Sequence, residues 1–300
     1  MPLSLAVLLA LTPMAESPTG DAVIRGKAGK SEIVITTTRR LAGAVHSLTW
    51  DGVEFIDSAD HGRQLQSAAS FDFGRKGGFH AECYNPTEAG SRFDGDGPTS
   101  TSRLLRLQAA GNELLSSTRM AFWLRPGEKS DGKPALNTTA LSDHRVSKRI
   151  VIGSKMWPHA IDYRVSFRVP PGERHTYAQF EALTGYMPPG FDQFYTLDME
   201  NGEITRLSDG PGEQAKPVVF ATADGRHAMG VWSPDQPSKG SEGAGYGRFR
   251  YAAENVVKWN CVFRVKEPQG IAAGDYSFRM VVAVGTLDDV RRTLSGIAKK

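Results

Sequence analysis

His80 and Glu82 stand two residues apart inside a segment, Asp57 to Gly97, that reads DSADHGRQLQSAASFDFGRKGGFHAECYNPTEAGSRFDGDG. On an extended backbone, residues at that spacing project to the same side, so both would converge on one ligand. An imidazole beside a carboxylate is a proton-transfer pair, provided each reaches its proton and titrates near the working pH. Tyr84 continues the same face and could serve as acid, base or stacking platform. His61 and Arg63 repeat the spacing, and Arg63 or Arg92 would grip a carboxylate with two parallel hydrogen bonds. Gln64, Asn85 and Glu88 supply donors and acceptors for hydroxyl groups. With glycines threaded through it, the segment reads as a long loop that buries no core, and such loops on rigid scaffolds are where ligands are met. The competing reading is a solvated loop whose charges serve solubility.

A second constellation is Gln179-Phe-Glu181 with Thr184, Tyr186 and Asp192 after it. Glu181 shares a strand face with Gln179 and could reach the same ligand as His80, or be an ordinary solvated strand carboxylate. Trp157, in Lys155-Met-Trp-Pro-His159, is the best-placed aromatic platform, with His159 beside it. Trp259 alternates with core residues and reads as core.

Other chemistries are excluded by what their patterns require. His80-Ala-Glu82 opens a zinc deaminase signature, but no P-C-x-x-C follows it. Calcium is the exception and stays open as a lesser reading for Asn85, Glu88, Asp94 and Asp96, since Asp94-Gly-Asp96-Gly resembles part of a calcium loop while lacking the later ligands of an EF-hand. There is no G-x-S-x-G elbow and no phosphate-binding glycine loop after a strand. No metal or cofactor is expected.

The elements that must position these groups are strands. In AIDYRVSFRV, Ile161, Tyr163, Val165, Phe167 and Val169 point one way, and Asp162, Arg164, Ser166 and Arg168 the other. The same period of two marks Ile33–Thr37, Val45–Trp50, Val53–Ile56, Leu104–Ala109, Met120–Leu124, Val146–Ile152, Tyr177–Leu183, Val218–Thr222, Ala228–Trp232 and Tyr276–Val284. Asp51-Gly52 and Asp224-Gly225 predict type I′ hairpin turns. Thr286-Leu-Asp-Asp289 resembles a capping box, followed by Leu287, Val290, Leu294 and Ile297 at helical spacing. The expectation is a mainly β chain, one large antiparallel β-sandwich over residues 21–297, closed by an amphipathic helix.

Composition sets the outer bounds. A hydrophobic fraction of 40% suffices for a sizeable core, and a net charge of +3 spread along the chain argues against nucleic acid. Leu3 to Leu11 is an apolar run too short to span a bilayer, followed by Pro13 and Ala15. It reads as a signal peptide over residues 1–15, although no Lys or Arg precedes it, and implies a secreted or periplasmic protein without a membrane span. Cys83 and Cys261 form no metal motif, and a bridge between them is left open.

The hairpin LAGAVHSLTWDGVEFIDSADHGRQLQ and the ending NCVFRVKEPQGIAAGDYSFRMVVAVG resemble the opening and closing strands of the galactose-mutarotase-like β-supersandwich group. That fold is shared by aldose 1-epimerases and by β-sandwich domains of many lyases and glycosidases. HAECYNPTEAGS looks like the hallmark of a narrower secreted bacterial family. The resemblance implies a groove for a pyranose or oligosaccharide, with a His and an acid or Tyr moving protons at the ring. Glycoside cleavage, uronate β-elimination and epimerisation all use such a pair. The epimerase E-T-Q and N-x-x-x-H-x-Y motifs are absent, and GAGYGRFRYAAENVVKW offers only Glu254. A non-catalytic carbohydrate-binding module and a structural envelope protein are the rival expectations.

If the signal is real, amino-terminal sequencing of exported material will begin near residue 16; an intact Met1 or Pro2 would contradict it.

Overall fold

Burial alternates along the strands as the apolar pattern does: Tyr163, Val165 and Phe167 are buried while Arg164 and Arg168 are exposed. The computed structural model describes residues 18–73, 78–238 and 245–299, so the expected signal segment lies outside the described residues. Among the described residues all strand pairing is antiparallel. One series runs Ala22–Ala28, Ser31–Thr37, Val45–Trp50, Leu65–Phe71, Tyr177–Met187, Val256–Lys266, Tyr246–Tyr251 and Gly212–Gln214. The other runs Arg103–Ala110, Glu113–Phe122, Leu141–Ile152, Ala160–Val169, Gly274–Gly285, Ala228–Trp232, Val218–Ala221, Gln193–Leu197 and Ile204–Arg206. We call them the first and second sheets. Pro86–Thr87 bridges them, pairing with Ala68 on one side and Phe122 on the other.

The core lies between the sheets. Ile35, Leu65, Phe180 and Trp259 of the first sheet join Ile150, Tyr163, Phe167 and Met280 of the second in one cluster. The chain is therefore mainly β, a large antiparallel sandwich.

The local signals are met with one adjustment. Asp51 and Gly52 both have positive φ, as a type I′ turn requires. At the second hairpin only Gly225 does, because the loop is longer: Thr222 N–H donates to the His227 carbonyl and Gly225 N–H to that of Thr222. Thr286 Oγ1 accepts from Asp289 N–H at 3.1 Å, and Asp289 accepts from Thr286 N–H at 3.2 Å, closing the capping box of helix α1 (Leu287–Ala298). Val290 and Leu294 are fully buried beneath it, against Val219, Val281 and Ala283.

The segment Asp57–Gly97 departs from its expected role as a coreless loop. Leu65–Phe71 within it is a central strand of the first sheet, held between Val45–Trp50 and Tyr177–Met187. Leu65, Ala69 and Phe71 enter the core, and polar Gln66 and Ser70 on the other face hide the strand from a hydrophobicity pattern.

Several expected site residues are held inside this framework. Glu88 is fully buried and ion-paired to Lys148, itself buried on Leu141–Ile152, while its other oxygen accepts from Ser67 N–H at 3.1 Å. Tyr84 is buried against Phe71 and Phe122, and its hydroxyl donates to Glu173 Oε1 at 2.8 Å. His175 Nε2 and His144 Nε2 lie 2.9 and 3.2 Å from Glu173 Oε2. Burial pushes the Tyr84 hydroxyl far up, with the Glu173 charge adding to it, so Tyr84 stays protonated at neutral pH on the core side of the sheet. Burial would raise Glu173, but the hydrogen bond from His175 and the neighbouring His144 and Tyr84 outweigh it and hold it low.

His144 is 2% exposed, and burial lowers its pKa to about 4, from an ordinary 6.5, against the pull of Glu173. Between these values the unfolded chain binds a proton that the folded chain does not. Stability is therefore whole above pH 6.5 and falls as pH drops toward 4. The loss from this one group is about 3 kcal/mol. Chemical denaturation across that range should show a shallower decline in His144→Gln than in the parent chain; equal slopes would contradict this origin.

Candidate functional site

A groove of about 460 Å³ opens on the face of the first sheet turned away from the core. Its floor follows from strand alternation. With Leu65, Ala69 and Phe71 in the core, Gln66, Ala68 and Ser70 face the groove, and the small Ala68 and Ser70 leave it room. On Val256–Lys266, Trp259 and Cys261 are core, so Lys258 faces the groove. A register shift between Glu181 and Leu183 inserts a bulge into Tyr177–Met187. The bulge brings Glu181 and Thr184, three residues apart, onto the same face, where Thr184 Oγ1 donates to Glu181 Oε2 at 2.8 Å.

Electrostatics on the floor centre on one pair. Lys258 Nζ lies 3.1 Å from Glu181 Oε2 and sits over the Tyr186 and Phe249 rings, 5.2 and 5.4 Å from their centroids. Burial alone would discharge both groups. For Glu181 the Lys258 charge and the Thr184 hydrogen bond outweigh it and hold the carboxyl below its ordinary range. For Lys258 burial pulls down, yet the Glu181 charge holds it above its ordinary value. Tyr251 is raised by burial first, with Lys258 opposing and the carboxylates of Glu181, Glu82 and Glu254 adding to the rise. At neutral pH the groove thus presents a fixed carboxylate and ammonium with protonated phenols beside them.

The walls come from loops. Arg63 Nε donates to Asp60 Oδ2 at 3.0 Å, and its guanidinium also reaches the Glu254 carbonyl at 3.2 Å. Gly62 lies under the Trp123 ring: a Cβ there would sit 2.7 Å from Trp123 Cη2, so the site needs glycine. On the opposite wall Ser130 Oγ donates to Glu82 Oε2 at 2.6 Å, and Asn85 Nδ2 donates to the Ala69 carbonyl at 2.6 Å. Gln66 Nε2 donates to the Gly62 carbonyl at 2.8 Å, while its buried Oε1 has no partner among the described residues.

Of the expected site residues, the groove gathers Glu82, Glu181, Arg63 and Asn85. His80 is exposed and not among the groove's lining residues, because its carbonyl accepts from Cys83 N–H and turns the chain. The extended geometry that would have aligned His80, Glu82 and Tyr84 is thereby lost. His61 is 1% exposed, its ring nitrogens 2.7 and 2.8 Å from the carbonyls of Gly95 and Arg40. Gln64 is buried and bonded to the Asp60 carbonyl, and Glu88 sits on the core side. Arg92 packs outside the groove, donating to the Lys129 carbonyl at 3.2 Å. Trp157 lies beneath Gly296 of α1, and His159 bonds the Val284 carbonyl at 2.8 Å, so both belong to the helix seat. Cys83 and Cys261 are free and buried.

Thr184 and Tyr186 of the second constellation also line the groove, and Lys258, Tyr251, Phe249 and Trp123 join them without having been singled out from the sequence. Lys258 was the findable one: it alternates with Val257 and Trp259, so a core on one face implied a lysine on the other. Trp123 just follows a strand, and nothing local marks it. Among the described residues there is no cluster of His, Cys, Asp or Glu that could hold a metal ion, and no helix long and apolar enough to cross a membrane.

No family model matches the chain, and no curated protein matches its sequence. Solved structures do match in fold. A glycosyl hydrolase family 38 protein from Enterococcus faecalis superposes with a TM-score of 0.50 at 9% identity, over 91% of this chain and 31% of that one. The chain thus spans about a third of that protein's length. Slr1438 from Synechocystis matches at a TM-score of 0.47 and 10% identity, over 92% of this chain and 100% of that one. At such identities the likeness is one of fold.

Proposed function

We propose that this chain is a carbohydrate-active protein that seats a pyranose, alone or within an oligosaccharide, in the groove of the first sheet. The observation that carries the reading is the Lys258–Glu181 pair on a floor flanked by Tyr186, Phe249, Tyr251 and Trp123. Aromatic faces give apolar contact and orientation to a sugar ring, and charged groups give its hydroxyls the stronger class of hydrogen bond. The fold shared with a protein of glycosyl hydrolase family 38 supports the same class.

Two of the four acid–base candidates remain at the groove, and they divide the work. Glu181 is held ionised by Lys258 and fixes hydroxyls and charge. Glu82 makes no ion pair among the described residues, so it is the group free to exchange a proton with a bound ligand. Glycoside cleavage, uronate β-elimination and epimerisation are each open to such an arrangement. Export to the periplasm or medium belongs to the same reading and is supported by the apolar run Leu3 to Leu11.

The test is a panel of polysaccharides and oligosaccharides, scored for binding, reducing ends and the absorbance of unsaturated uronates. Glu181→Gln should weaken binding about tenfold to a hundredfold, the worth of a charged hydrogen bond. Glu82→Gln should lower turnover by about a hundredfold to ten-thousandfold. His80→Ala should change neither. Binding without turnover in the parent chain would reduce the reading to a binding module. Unaltered affinity in a folded Glu181→Gln variant would remove the groove from it.

A further inference from the structure

We infer that the outer face of the second sheet is a docking surface for an anionic polysaccharide, laid across the strands along a row of serines between two rows of arginines. The choice of ligand class rests on the carbohydrate reading above; the charge pattern does not.

The pattern is built by register. Arg145-Val-Ser147-Lys-Arg149 and Arg164-Val-Ser166-Phe-Arg168 lie on adjacent antiparallel strands, so Arg145 opposes Arg168, Ser147 opposes Ser166 and Arg149 opposes Arg164. The neighbours continue it. Arg279 lies opposite Arg164 and Ser277 opposite Ser166 on one side, Arg119 opposite Arg145 and Ser117 opposite Ser147 on the other. Arg103 opposes Arg119 at the end. Each row therefore crosses the sheet at about 4.8 Å per strand, and the arginine rows flank the serines at about 7 Å on either side.

The serine row is a shallow trough. Ser147 Oγ donates to Ser117 Oγ at 3.0 Å, and Ser277 Oγ to Ser166 Oγ at 2.9 Å. A depression of about 460 Å³ lies over it, lined by Ser147, Ser166 and Ser277 with Arg149, Arg164 and Arg279.

Like charges placed directly across a ladder destabilise a sheet. Here guanidinium opposes guanidinium over three strands in one row, Arg149, Arg164 and Arg279, and over four in the other. Glu113, Asp143, Asp162 and Asp275 pair with five of the seven arginines, Asp162 with both Arg164 and Arg279, and Asp235 lies at the edge. Arg103 and Arg145 make no ion pair among the described residues. An anionic ligand would relieve the repulsion.

The chemistry selects among polyanions. Guanidinium forks suit carboxylates and sulfates, while the serine hydroxyls and interleaved carboxylates suit a ligand that also carries hydroxyl groups. A nucleic acid, with a phosphate at every step, would meet those carboxylates repulsively. A lipid surface would call for several large apolar side chains to insert between the charges, and among the described residues in register with these rows only the half-buried Leu115, opposite Arg149, is apolar.

The experiment is affinity chromatography and titration of the mature protein on heparin and on polygalacturonate, with dextran, duplex DNA and phosphatidylserine vesicles alongside. The parent chain should be retained by the sulfated or the uronate polymer, released by salt, and ignore dextran. Arg149→Gln, Arg164→Gln and Arg279→Gln together should cut that affinity at least tenfold without lowering the melting temperature. Glu181→Gln should keep wild-type retention, which separates this surface from the groove. The inference is overturned if the parent chain binds neither polymer. It is equally overturned if the triple variant elutes at the wild-type salt concentration, or if DNA or vesicles bind as tightly.

Discussion

The buried ion pair between Lys148 and Glu88 fixes which way both sheets face. Taking an ammonium and a carboxylate out of water costs several kcal/mol each, and only their pairing with further hydrogen bonds makes the burial tolerable. Glu88 meets that demand through Lys148 of the second sheet and the Ser67 N–H of the first. Because side chains alternate, Lys148 pointing inward turns Ser147 and Arg149 outward, and Ser67 pointing inward turns Gln66 and Ala68 into the groove. A slip of one residue in either strand would strand a charge in the core and exchange the faces. The groove and the arginine face are thus two consequences of one desolvated contact.

The strand pattern and the closing helix were legible in the sequence because each rests on a local rule. Tyr163, Val165 and Phe167 declare a face by alternation, and Thr286 with Asp289 declares a helix start by capping. Leu65–Phe71 was not legible as a core strand, since its groove face carries Gln66 and Ser70 and its core face includes Ser67. A strand polar on a functional face and partly polar on its buried face has no period to read.

The site was legible only in part, for a related reason. Glu181 was visible because it stands on a strand with a clear face. His80 lies outside the groove's lining because its alignment with Glu82 depended on extended backbone, and the turn closed by its carbonyl and Cys83 N–H removes that geometry. His61, Gln64 and Glu88 are polar residues that the fold uses for itself, bonded to main-chain carbonyls or to Lys148. Composition gave them chemistry; burial gave them structure. The Arg-x-Ser-x-Arg repeat was present in the sequence too, but only the register of adjacent strands turns two separate repeats into continuous rows.

The central claim is that the ligand seat is the groove of the first sheet, on the opposite side of that sheet from the core. The most direct measurement is amide chemical-shift mapping by NMR with the oligosaccharide best bound in the panel. The account predicts shifts at Gln66, Ala68, Ser70, Glu181, Tyr186 and Lys258, together with the Trp123 indole. Shifts confined to the seat of α1 around Trp157 and His159, or to the exposed turn at His80, would contradict it.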